Sequence, residues 1–294
     1  MRKSWIYWAW IGCLSVALLF GSSAAFAGGD SGQVPKTAVW SCWYWAWVDW
    51  LDPNLYDYDE ALDRYDYLTW IEGYWTDARA WEYDNHGPPQ NPDDWWGHCH
   101  AWSGAAVWEP QPTKSRFLYD IEFRIRDRKG LLVETYFNCA DGSNYEIYED
   151  QPSPGSFWRY LRDEIKGVDP MHGYRRGLVG ELYFGDEVWN YPIYKYKVKY
   201  TGKQLVSGTI TIYAGDDESP FYADSKKLYY KTFVYQFQDV ILDSFKNPID
   251  SGIWLGSGPY HRPDCIWRPY YAETYMQYVE NPELDEFYLA AILN

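Results

Sequence analysis

Hydrophobic and polar positions follow three different patterns along this chain. Residues 5–20 are almost continuously apolar, between the charged start Met1-Arg2-Lys3 and the small-x-small stretch Ala25-Phe26-Ala27. From Asp59 to Trp81 the apolar residues recur at helical spacing. Leu62, Tyr65, Leu68, Trp70 and Ile71 share one broad face, which predicts a helix. Lys129–Phe137 and Pro154–Ile165 read as shorter helices, the second with Ser156 as the expected N-cap. Phe117–Ile125 alternates weakly. After Gly167 the period falls to two. Between Ile193 and Tyr200, Tyr194, Tyr196, Val198 and Tyr200 share one face and Lys195, Lys197 and Lys199 the other. Pro192 marks this segment as a strand start or an edge strand, with the lysine row protecting the edge. Leu205–Tyr213 and Lys227–Leu242 continue the strand pattern.

The first 27 residues read as a secretory signal peptide: a basic start, an apolar run, and cleavage after Ala27. The product is expected outside the cytoplasm, secreted or periplasmic. No later segment is apolar enough to span a bilayer, so no membrane association is expected after cleavage. Residues 28–38 are rich in Gly, Ser and Asp and are expected to be flexible. A helical, Trp-rich lobe is expected over 39–115, with Trp at 40, 43, 45, 47 and 50, and a mixed then β-rich lobe over 116–294. The fold class is therefore α+β.

Removing Arg2 and Lys3 takes the formal net charge from −16 to −18. So acidic a chain is a poor partner for nucleic acid or an anionic membrane. Aromatic residues make up 21 % of the chain, which reads first as a large aromatic core and second as a glycan-binding surface. Cys42, Cys99, Cys139 and Cys265 remain after cleavage. Four cysteines in a chain this long do not make a disulfide framework, and a pairing of Cys42 with Cys139 or Cys265 stays open.

The strongest chemical signal is Trp95-Trp96-Gly97-His98-Cys99-His100-Ala101-Trp102-Ser103-Gly104-Ala105-Ala106. A turn-forming Gly precedes the Cys and small residues follow it. A thiol in the first turn of a helix faces free backbone N–H groups and the positive dipole end, which favours thiolate. Such a nucleophile needs a base and a residue to orient it. His98 and His100 flank Cys99 and point elsewhere on a helix. His172 is the better base, with Asn190 or Asp186 to orient it. Cys on a helix, then His at one strand and Asn or Asp at the next, is the order of papain-like enzymes.

Three segments belong together. The first is Gly97-x-Cys99-His100-x-Trp102, with Glu109-Pro110 beyond it. The second is Val188-Trp189-Asn190-Tyr191-Pro192-Ile193, continuing to Tyr196-Lys197-Val198. The third is Gly252–Trp254, Ser257 and His261-Arg262-Pro263-Asp264-Cys265-Ile266-Trp267-Arg268-Pro269. In this order they resemble the nucleophile motif, the elicitor peptide and the closing His-Pro-Asp-Phe-x-Trp-x-Pro segment of the transglutaminase-elicitor family of oomycetes and marine bacteria.

The resemblance spans about 95–270. It implies a papain-like core and Ca²⁺-dependent acyl transfer from glutamine side chains, through a thioester on Cys99, to lysine amines. Protein substrates with exposed Gln and Lys would be the partners. It also implies a Phe-His pair where this chain has Phe157-Trp158, with the partner acid falling near Glu181. His261 with Asp264 is the fallback pair. A cysteine hydrolase or amidase differs only in using water as acceptor. An inactive relative acting as a cell-surface or glycan-binding protein is the alternative, as is display of the Val188–Tyr200 segment to a receptor.

Overall fold

The alternating segment around Tyr196 becomes the middle of a long central strand. The computed structural model describes residues 28–35, 39–49, 52–167, 176–184, 187–217, 219–256 and 261–294. Residues 1–27, where a signal peptide is expected, and His172 and Asp186 lie outside them. In chain order the elements are β1 (Gly28–Gln33), α1 (Ala61–Ile71), α2 (Ala78–His86), α3 (Cys99–Trp108), β2 (Arg116–Leu118), β3 (Ile121–Phe123), α4 (Ile125–Glu134), β4 (Tyr145–Asp150), α5 (Pro154–Tyr160), β5 (Leu178–Phe184), β6 (Glu187–Gly202), β7 (Leu205–Gly215), α6 (Pro220–Asp224), β8 (Tyr230–Ile241), β9 (Ile253–Leu255), β10 (Cys265–Pro269) and α7 (Glu286–Leu293). This is a mixed architecture of helices and one large antiparallel sheet. Among the described residues no helix is long and apolar enough to cross a membrane.

The sheet runs β4-β10-β5-β6-β7-β8-β9. β5 pairs with the first half of β6 and β1 with the second, end to end, while β7 lies along the other side. β6 is therefore central, not an edge. Tyr196 sits opposite Ile212 and Val198 opposite Ile210, and all four are buried, so the period-two pattern fixes which face meets the core. Pro192 is tolerated because the pairing with β7 is irregular just beyond it, between Ile193 and Lys195. The lysine row is the outer face of a paired strand, and Lys195 lies over the Tyr213 ring.

Gly28–Gln33, expected as flexible, is ordered for two reasons. Its glycines let the strand lie against the rings of Tyr196 and Tyr200. Asp30 then accepts from Trp158 Nε1 at 3.0 Å, Tyr196 Oη at 2.9 Å and Lys166 Nζ at 2.8 Å. Composition alone reads such a segment as disordered because it cannot show these three donors.

The helix predicted over 59–81 is two helices. The chain breaks at Gly73, where φ is +78°, and Asp66 caps the second helix by accepting from Ala78 N and Arg79 N, both at 2.9 Å. Leu62, Tyr65 and Leu68 are buried as expected, but Trp70 and Ile71 are exposed beside the break. The N-cap of α5 is Ser153, whose Oγ accepts from Ser156 N at 3.1 Å; Ser156 is inside the helix.

The aromatic surplus is mainly core. Trp40, Trp45, Trp102, Trp158 and Trp267 are buried. Four of these indole N–H groups donate: Trp102 to Trp40 O at 3.1 Å, Trp40 to Glu109 O at 3.0 Å, Trp158 to Asp30 and Trp267 to Asn190, while that of Trp45 has no hydrogen-bond partner among the described residues. The four cysteines of the described residues are buried free thiols, so neither open disulfide pairing forms.

Candidate active site around Cys99

Cys99 opens α3, as the sequence predicts, because the preceding turn is anchored on both sides. His98 N donates to Tyr44 O at 2.7 Å, and the His98 ring bonds through Nδ1 to Trp45 O at 2.9 Å. Gly97 pairs with Ala46, and a Cβ there would fall 2.6 Å from the Tyr44 ring. Further along, Gly104 lets α3 approach Cys139: an added Cβ would lie 2.5 Å from its Sγ. The small residues after Cys99 thus seat the helix against its neighbours.

The Cys99 thiol faces a cleft of about 520 Å³. Its walls include Trp95, His100, Glu181, Asn190, Asp264 and Trp267. Asn190 is the direct neighbour. Its Nδ2 donates to Cys99 Sγ at 3.8 Å, and its Oδ1 accepts from Trp267 Nε1 at 2.9 Å. Ser103 Oγ, one turn along α3, donates to Asn190 O at 2.8 Å and ties the helix to β6. Asn190 is therefore a donor at the sulfur, and among the described residues its side chain is bonded to Cys99 and Trp267 rather than to a histidine.

Burial pushes the Cys99 thiol up to about 11. The Asn190 amides pull the other way, and the charges of Asp217 and Glu181 add to the rise. Burial thus works against the thiolate that the helix terminus favours. Desolvation outweighs the helix terminus, and no described histidine is hydrogen-bonded to the sulfur. Glu181 faces Asn190 across β5 and β6 and lies opposite Cys265 of β10. Burial, then the neighbouring Asp264 carboxylate and hydrogen bond, raise Glu181 to about 7. Two carboxyls in one site cannot both ionise easily, so this pair holds a proton near neutrality. Cys265 also lines the cleft, its thiol pushed up by burial and by Glu181.

Of the described histidines, neither neighbour of Cys99 is hydrogen-bonded to its sulfur, and His261 stands outside the cleft. His98 turns away from Cys99 toward Glu82 and Glu134. His100 lines the cleft but donates through Nε2 to Phe137 O at 2.9 Å; burial first, and then the charge on His98, push it down to about 4. His261 is exposed and packs over Gly256, outside the cleft, so the fallback pair is split and only Asp264 reaches the site.

Val188 lines the cleft, Trp189 packs edge-on against Tyr44 at 4.9 Å on a neighbouring cavity, and Pro192 is buried. The elicitor-like segment is thus a central strand rather than a projecting one. Trp158 does not line the cleft; it packs on Tyr200 and Phe237. Sequence reasoning missed Trp267 as the residue that orients Asn190. Its only signal was its place two residues after Cys265 in the closing motif.

Calcium does not fit the cluster that is closest to a metal site. Among the described residues, Glu82, His86 and His98 are the side chains near enough to share one ion. Ca²⁺ takes six to eight oxygen ligands, whereas two of these three donors are imidazole nitrogens.

A family profile described as transglutaminase elicitor matches residues 90–252. That span contains Cys99, Glu181 and Asn190 and ends before Asp264 and Trp267. The crystal structure of the GP42 transglutaminase from Phytophthora sojae is similar in fold. The likeness covers 90 % of each chain with a TM-score of 0.62 and 16 % identity. No curated protein sequence matches this chain.

Proposed function

The chain belongs to the transglutaminase elicitor family, and from that premise we propose that it is a cysteine-dependent acyltransferase acting on glutamine side chains. The observation that carries this reading is the Asn190 amide. Trp267 can only donate, so Asn190 Oδ1 must face it and Nδ2 must face Cys99 Sγ. A fixed N–H beside the nucleophile, with the Cys99 backbone N–H at the start of α3, makes a two-donor site for an oxyanion.

The steps follow from that geometry. The Glu181–Asp264 pair takes the Cys99 proton as the sulfur attacks the carboxamide carbon. The carbonyl oxygen becomes an oxyanion held by the two N–H groups. The proton passes to the departing nitrogen, the C–N bond breaks, ammonia leaves, and a thioester remains on Cys99. A lysine amine then attacks the thioester carbon and loses a proton to the same pair. The C–S bond breaks, Cys99 regains its proton, and an isopeptide bond is left. Aromatic walls favour an amine over water in the second step by limiting hydration. Glu181 is preferred to His172 because its raised pKa and its place in the cleft suit a base working near pH 7.

The papain-like ordering is part of the proposal: Cys on a helix, with its partners on strands that follow. So are cleavage after Ala27, an extracytoplasmic location, and protein substrates with exposed Gln and Lys. The test is incorporation of a fluorescent primary amine into casein. Wild-type protein is expected to label it and Cys99→Ser to lose at least about 10³-fold. Undiminished labelling by the variant overturns the reading; ammonia release without amine incorporation makes the protein an amidase.

A second reading, a non-catalytic relative with a cell-surface role, draws on the high thiol pKa and the lack of a histidine bonded to Cys99 among the described residues. It predicts no ammonia release at all from glutamine-containing proteins.

A further inference from the structure

We infer that Glu82, His86 and His98, with the Glu134 carboxylate beside His98, form a buried three-ligand binding site for one divalent transition-metal ion of the Zn²⁺ class, behind the helix that carries Cys99. Glu82 and His86 lie one turn apart on α2. His98 caps the start of α3, and Glu134 ends α4. All four are buried. Glu82 lies 2.9 Å from His86 Nδ1 and 3.2 Å from His98 Nε2, and Glu134 Oε1 lies 3.4 Å from that same Nε2.

The hydrogen bonding leaves the right atoms free. His98 Nδ1–H is spent on Trp45 O, which leaves the Nε2 lone pair facing the two carboxylates. His98 Nε2 and Glu134 Oε1 are both buried without a hydrogen-bond partner. A buried polar atom in that state costs stability unless something pairs with it. His86 is arranged in the opposite sense. Its Nδ1 faces Glu82, while its Nε2 points to Glu280 Oε2 at 3.3 Å, the outer carboxylate that metal-bound histidines commonly have. Its ring is clamped between Trp47 and Phe137, with centroids at 4.4 and 4.7 Å.

The spacings favour a metal over an ion-pair network at His98. A charge-assisted N–H···O bond is about 2.7–2.9 Å long. Bonds of 2.0–2.1 Å to a tetrahedral ion put neighbouring ligand atoms about 3.3–3.4 Å apart. The Glu82–His98 separation of 3.2 Å lies next to that range, while Glu82 and His86 Nδ1 stand at 2.9 Å. Two imidazoles and one carboxylate are a Zn²⁺ ligand set, with a water to fill the fourth position, and the Glu82 and nearby Glu134 carboxylates offset the ion's charge. The ion would tie α2 and α3 together immediately behind Cys99. The inference does not depend on whether Cys99 is catalytic.

The test uses the full chain, stripped with a chelator and titrated with Co²⁺ and then Zn²⁺. The expected result is one Co²⁺ per chain with the intense visible absorption of a four-coordinate ion, displaced by one Zn²⁺, together with a rise in Tm. His86→Gln should abolish that spectrum. Glu280→Gln, which leaves all three protein ligands in place and so serves should His86→Gln fail to fold, should weaken binding about 10–100-fold. Absence of a stoichiometric four-coordinate signal in wild-type protein overturns the site in favour of an ion-pair network. So does a signal that Glu280→Gln leaves at full affinity.

Discussion

Trp267 Nε1 donates to Asn190 Oδ1 at 2.9 Å, and this bond decides which end of the Asn190 amide meets Cys99. The indole has no acceptor role, so the opposite orientation would face N–H against N–H. Trp267→Phe keeps an aromatic six-membered ring and removes the pyrrole ring with its N–H, and with it the bond. It leaves a buried acceptor unpaired, at a cost of about 1–3 kcal/mol. The expected result is a folded protein with lower Tm, a kcat reduced at least tenfold, and a KM little changed. A kcat equal to wild type would show that Asn190 is held without Trp267.

Asn190→Ala removes the side-chain donor itself. Loss of one oxyanion donor costs about 10²–10³ in kcat. Steady-state amine incorporation with casein measures this. Asn190→Asp should be at least as damaging, because it sets a carboxylate beside a developing oxyanion and beside Glu181.

The pH dependence follows from Glu181. Its folded pKa of about 7 stands above its ordinary 4.5, so the folded state holds the proton more tightly than the unfolded chain. The stability this contributes is full below about pH 4.5 and is lost as pH rises to about 7, by at most about 3 kcal/mol. Denaturant melts of Glu181→Gln should lose that decline and exceed wild-type stability at pH 8. Activity runs the other way, since the carboxylate is the working form: wild-type rate should climb through about pH 7 and the variant should show no such limb.

Much of this was legible in the sequence, and the failures share a cause. The period-two run at Tyr194–Tyr200 and the Gly-bracketed Cys99 helix are local patterns, and local patterns survive folding. The neighbours of Cys99 are not local. Glu181 and Asn190 meet across two strands, and Trp267 joins them from β10. A strand that looked like an edge became central because β1, read as flexible, pairs along it. His98 and His100 were set aside correctly as partners for the thiol, but what His98 does face, Glu82 and Glu134, comes from two other helices.

Thiol reactivity separates the two candidate bases. With the Cys99 pKa pushed up to about 11 by burial, alkylation by iodoacetamide should be slow at pH 7 and rise steadily to pH 10 without a plateau. Mass spectrometry of the Cys99 peptide gives the rate. A plateau below pH 8 would mean that a cation sits against the sulfur and would move the base to His172. His172→Asn should then erase the plateau, whereas Glu181→Gln should not.

The seat of the nucleophile helix can be tested apart from chemistry. Gly104→Ala adds a methyl group 2.5 Å from Cys139 Sγ, in a core with no room to yield. Alanine is the better helix former by about 1 kcal/mol, so a neutral site would gain stability. Overpacking costs about 1–3 kcal/mol and should win here, lowering stability and shifting α3. Cys139→Ala alone opens a small void and should also destabilise. Combined, the two changes exchange volume across the contact, so the double variant should be more stable than the sum of the single effects predicts. A double-mutant cycle in denaturant measures that coupling, and strict additivity would mean α3 is not seated on Cys139.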